Sequence, residues 1–103
     1  MQIRTVATLE EAAQDLDAGK AFYDEKGEGI GLYFIDSLLS DIESLRLISG
    51  VHSKRFGFYR LLSKRFPFAV YYDIEGSIAR VAAVLDMRKD PAWIRQELER
   101  RRG

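Results

Sequence analysis

Apolar and polar positions alternate clearly between Phe58 and Leu85. Phe58, Arg60 and Leu62 recur at a period of two, as do Phe68, Val70 and Tyr72, and then Val81, Ala83 and Leu85. Successive side chains of a strand point to opposite faces, so this period predicts three short β-strands. Connections at Ser63-Lys64-Arg65 and Glu75-Gly76 join them as a meander. Upstream the period changes. Ile30, Phe34, Leu38, Ile42 and Leu45 recur at steps of four and three, widened by Ile35 and Leu39, which predicts an amphipathic helix over 30–48. Gly50 ends it as a C-terminal cap. Ala12, Leu16 and Tyr23 keep helical spacing in an earlier helix, and Gly27, Gly29 and Gly31 mark the turn between the two. So short a connection makes the pair an antiparallel hairpin.

The remaining segments fill in the order. Gln2 to Ala7 reads as a first strand with Ile3 and Val6 as its apolar members. Thr8 and Glu11 fit a capping box at the start of the first helix. His52 to Arg55 reads as a basic loop. Asp90 and Pro91 open a last helix as N-cap and first helical residue, with Ile94, Leu98 and Trp93 as its apolar contacts. Arg100, Arg101 and Arg102 lie at its C-terminus, where the helix dipole favours cations. The order β-α-α-β-β-β-α predicts an α+β fold, one domain over 1–103, with the helix hairpin on one face of a mainly antiparallel sheet. The stripe from Ile30 to Leu45 is expected against a face carrying the Phe58, Phe68 and Val81 series.

Composition narrows the class. Apolar residues make up 47% of 103, enough for one ordinary core. The chain has no cysteine, which removes disulfides and thiolate metal sites. MQIRTVATLEE lacks the apolar run of a signal peptide, and no window reaches the roughly 18 apolar residues of a membrane span. A cytoplasmic protein away from membranes is expected. The zero net charge hides an asymmetry. Residues 1–51 hold four Lys/Arg against ten Asp/Glu, a net of −6, and residues 52–103 hold twelve against six, a net of +6. The basic half suits an anionic partner, and the two halves also attract each other.

Catalytic signatures are sparse. The three glycines lack a preceding strand and a Walker lysine, so they read as a turn. His52 is the only histidine, with no carboxylate at metal-ligand spacing beside it, which leaves a general base or a solvated loop residue. Arg60 in mid-strand, Arg65 at a turn and Arg88 after the last strand are the better candidates. Convergent guanidinium groups bind phosphate and stabilise its transition states. The alternative for each is a solvated edge charge that blocks sheet-to-sheet pairing.

FYDEKGEGIGLYFIDSLLSDIESL, RFPFAVYYDIEG and VLDMRKDPAW, taken together, resemble the RelE/ParE superfamily of type II toxin–antitoxin toxins, from Leu16 to Trp93. The resemblance implies a compact α+β toxin without a cofactor. It implies a cognate antitoxin that wraps the toxin with an extended and helical segment and carries the contact with operator DNA. RelE-like members cut mRNA on the ribosome, whereas ParE-like members inhibit DNA gyrase without a hydrolytic site. Arg88 matches the basic residue after the last strand of RelE-like toxins. Ala69 stands where their central-strand arginine falls, and Trp93 or Ile94 where they carry an aromatic acid or base. The R-K-D-P ending is nearer to ParE. The resemblance therefore implies target inhibition first, RNA cleavage second and a non-toxic interaction domain third.

Overall fold

The computed structural model describes residues 3–102. Its elements run β1 (Thr5–Thr8), α1 (Glu10–Asp24), α2 (Ile30–Glu43), α3 (Leu45–Ile48), β2 (Lys54–Arg55), β3 (Phe58–Leu62), β4 (Phe68–Glu75), β5 (Ile78–Asp86) and α4 (Pro91–Arg102). The strands form one sheet in the order β1-β5-β4-β3-β2. All pairs are antiparallel except β1 with β5, which is parallel. This is the expected α+β architecture, with one added strand. Lys54 and Arg55, expected in a loop, pair with Tyr59 and Phe58.

The hairpin of α1 and α2 covers one face of the sheet. Phe34, Leu38, Ile42 and Leu45 are buried there with Ala12 and Leu16, against Leu61, Phe68, Val70, Tyr72, Ala79, Val81 and Val84. Ile30 and Ile35 are half-buried, whereas Leu39 is exposed. α4 covers the other face, where Ile94 and Leu98 pack on Phe58, Ala69, Tyr71, Ala82, Ala83 and Leu85. Two strand assignments are thereby corrected. Phe58 lies under α4 rather than under the hairpin. Val81 and Ala83 lie on opposite faces, because pairing skips from Tyr71↔Ala83 to Tyr72↔Val81. The extra residue, Ala82, makes a β-bulge that reverses the phase of everything after it.

Local signals at the chain's turns met mixed outcomes. Asp90 accepts the Ala92 N–H at 2.9 Å, as an N-cap above Pro91 should. Thr8 and Glu11 form no capping box. Thr8 is drawn into the sheet opposite Val81, Leu9 becomes the N-cap residue with no side-chain bond, and Glu11 pairs with Arg100. The first strand begins at Thr5, and Gln2 lies outside the described residues. Gly31 belongs to α2 rather than to the turn. A β-carbon there would come within 2.6 Å of the Lys20 carbonyl oxygen, so glycine lets the two helices approach. The long second helix breaks at Ser44, whose Oγ donates to the Asp41 carbonyl at 2.6 Å.

Candidate functional site

β1 ends opposite Val81, but β5 continues to Asp86. The outer edge of β5 is therefore without a neighbouring strand from Ala82 onward. Side chains cover its first part. Asp15, on α1, accepts the Val84 N–H at 2.9 Å. Arg101, on α4, donates to the Ala82 carbonyl at 3.1 Å and grips Asp15 with two nitrogens at 2.6 and 2.9 Å. Glu97 holds the same guanidinium at 2.8 Å, and Arg100 reaches both Glu97 and Glu11. These contacts raise the Arg101 pKa, the Asp15 hydrogen bond first among them, and hold the Glu97 carboxyl below its ordinary range. The network pins α4 to α1 across the strand edge. It was missed in the sequence, although one signal was present. Asp15 lies on the same face of α1 as the buried Ala12, Leu16 and Gly19, and a carboxylate on a buried stripe needs a cationic partner.

Beyond that clamp the edge opens into a groove of about 380 Å³. Ala18, Gly19 and Phe22 of α1 form one wall, Phe68, Val84 and Leu85 the floor, and Asp86, Lys89 and Trp93 the other side. Phe22 and Trp93 are 44% and 40% exposed, so two aromatic rings stand at the rim of an apolar floor. Each carries a cation, Lys26 Nζ at 4.7 Å from the Phe22 centroid and Lys89 Nζ at 4.9 Å from that of Trp93. Such a groove accepts apolar side chains on a segment whose flanking residues are acidic.

The four residues singled out in the sequence do not form one cluster. Arg60 lies on the α4 side of β3, beside Tyr71, and its buried Nε has no hydrogen-bond partner. Burial pushes the Tyr71 phenol up, with Arg60 and Arg55 opposing that shift. Arg65 is exposed on the turn between β3 and β4. Arg88 is near that same end of the sheet, but Asp86 holds its guanidinium at 2.8 and 3.0 Å, which raises its pKa. Arg88 also leans towards Tyr23, in the hairpin core, so it and Arg60 belong to opposite faces.

His52 is farther still. Its Nδ1 lies 2.5 Å from the Tyr72 hydroxyl, which itself accepts the Gly50 N–H at 2.9 Å. Which of the two donates is set by the imidazole tautomer. Burial lowers the His52 pKa and raises that of Tyr72. Tyr72 sits four residues along β4 from Phe68, which pairs with Asp86. The His52–Tyr72 pair thus occupies the end of the sheet away from Arg88. Trp93 and Ile94 offer no exchangeable acid near neutrality. Among the described residues, no group of three or more His, Asp or Glu is placed to hold a metal ion, and no helix is long and apolar enough to cross a membrane.

No protein-family model and no curated protein matches the chain. A solved structure does. It is a chain of the chromosomal ParDE toxin–antitoxin system from P. aeruginosa, with a TM-score of 0.76 and 20% sequence identity. The match covers 84% of this chain and 98% of that one. The chain therefore shares its fold with a component of that system, and the α+β arrangement read from the sequence, a helix hairpin on a mainly antiparallel sheet, is the one observed.

Proposed function

We propose that this chain is the toxin of a type II toxin–antitoxin pair, acting in the cytoplasm as one domain that binds and inhibits a target such as DNA gyrase. The observation that carries this reading is the ParDE-type fold, shared over nearly the whole of the matched chain. The charge arrangement supports inhibition over RNA cleavage. Cleavage by attack of a 2′-hydroxyl needs a base, an acid and cations around one phosphate. Here Arg88 is bound by Asp86, Arg60 lies on the opposite face, and the one imidazole is engaged with Tyr72 at the far end of the sheet.

The cognate antitoxin, in this reading, lays an acidic and apolar segment into the groove between α1 and α4. The lysines over Phe22 and Trp93 meet its carboxylates, and operator DNA is contacted by the antitoxin alone. Induced expression of the chain, with and without the product of an adjacent small gene, tests the pair. Growth arrest with a DNA-damage response and loss of gyrase supercoiling supports inhibition. Ribosome-dependent cuts in a defined message that vanish in Arg88→Ala or His52→Ala make the chain a ribonuclease instead. Absence of any arrest makes it a non-toxic interaction domain.

A further inference from the structure

Arg55 and Phe58 are paired across the β2–β3 hairpin, and Phe56 and Gly57 are the two residues of its turn. Their φ angles are 54° and 87°. A two-residue turn with both φ positive is normally filled by Asn-Gly or Asp-Gly, because the first position crowds a larger side chain. Gly57 meets that demand. Phe56 does not, since a bulky residue at positive φ is a strained outlier. Phe56 is 37% exposed at the tip, and among the described residues no other ring or ammonium stacks on it.

The surroundings of the ring are cationic. Lys54 and Arg55 are exposed on the preceding strand. Lys54 lies 4.9 Å over the Tyr59 ring, and Arg55 donates to the Lys54 carbonyl at 3.2 Å. The Arg102 guanidinium lies beside the turn, so close that a β-carbon on Gly57 would meet it at 2.8 Å. Asp73, on the neighbouring strand at this end, is occupied by two bonds of 2.8 Å from Arg80.

We propose that the β2–β3 turn is the surface with which this chain grips its target. Phe56 enters an apolar pocket of a target protein, and Lys54, Arg55 and Arg102 meet acidic side chains around that pocket. Exposed aromatic and arginine side chains carry most of the free energy at protein interfaces. A protein fits better than a nucleic acid. A single ring on a convex tip offers no platform for successive bases. The inference rests on the toxin reading above and names the part of the molecule that acts. It also separates two surfaces, since the groove lies at the other end of β5.

Phe56→Asn tests it, because asparagine relaxes the turn while removing the ring. The variant should melt about 4–8 °C higher, as expected when a left-handed side chain is relieved in a domain of this size. Its potency in growth arrest, and against purified gyrase in supercoiling, should fall roughly 30-fold or more, as for an interface anchor. Lys54→Glu combined with Arg55→Glu should weaken the same inhibition and reduce its sensitivity to salt. A toxic wild type with an equally potent Phe56→Asn overturns the inference alone. So does a lower melting temperature for that variant, which would place the ring within the fold. Binding of the wild type to single-stranded DNA, lost in Phe56→Asn, would overturn the protein target. A wild type that arrests nothing overturns the toxin reading and this inference with it.

Discussion

Replacing Asp15 with alanine should unfold this protein more readily than any surface change of equal size. The Asp15 side chain is 15% exposed and that of Arg101 only 8%. The carboxylate accepts one backbone bond from Val84 and two from Arg101. Its loss leaves the Val84 N–H unpaired on a strand edge, a charge-assisted bond worth about 1.5–3 kcal/mol. It also removes half the compensation of a buried guanidinium, and breaking such a pair costs about 3–5 kcal/mol. Glu97 stays on Arg101 at 2.8 Å and still compensates the guanidinium, so the total falls below the sum of the two. We expect about 3 kcal/mol, against a whole stability of about 5–15 kcal/mol for an ordinary domain. Urea unfolding followed by circular dichroism and by fluorescence of Trp93, the only tryptophan, measures it. The double variant Asp15→Ala/Arg101→Met should lose less than the two singles combined, by about 1 kcal/mol or more. A single variant within about 0.5 kcal/mol of wild type, or strict additivity, would refute the clamp.

Leu38→Ala should cost about 2–5 kcal/mol, because the residue is fully buried between the hairpin and the sheet; a loss under about 1 kcal/mol in the same unfolding assay would contradict that packing. His52 should make stability depend on pH. Burial holds its folded pKa below the unfolded value, so the unfolded chain takes up the proton first. The contribution is whole above about pH 6.5 and drains away as pH falls through the lower folded value. His52→Asn keeps a hydrogen-bonding partner for Tyr72 and should flatten that slope in denaturation midpoints taken between about pH 7.5 and 5.5. Trp93→Asp, at the groove rim, should lower the melting temperature without unfolding the chain, since the residue is 40% exposed, yet should abolish rescue by the co-expressed antitoxin; rescue at wild-type level would remove the groove from the antitoxin site.

Short-range periodicity accounts for what the chain declares by itself. The stripe of Phe34, Leu38, Ile42 and Leu45 is buried as its spacing requires, and Phe68, Val70 and Tyr72 share the hairpin face. Asp90 caps α4 because the capping bond spans only two residues. These features depend on neighbours within one turn or one strand, and such neighbours are written in order. The RelE/ParE-like arrangement was legible for the same reason, as a succession of local patterns.

Contacts between distant parts of the chain were decided only in the folded molecule. Thr8 joins β5 instead of capping α1 because Val81 is available beside it. The bulge at Ala82 sends Val81 and Ala83 to opposite faces, although their spacing alone places them together. Arg101 and Asp15 meet across 86 residues, and Val84 reaches Asp15 across 69. Sequence spacing marks Asp15 as a carboxylate on a buried helix stripe but names neither partner. The arginines and the histidine chosen for their chemistry were likewise distributed by strand register, which set Arg88 against Asp86, Arg60 beneath the α4 side and His52 against Tyr72. A residue's chemical type is fixed along the chain, but its partners depend on pairing across the sheet, and that pairing is settled by the free energy of the whole core.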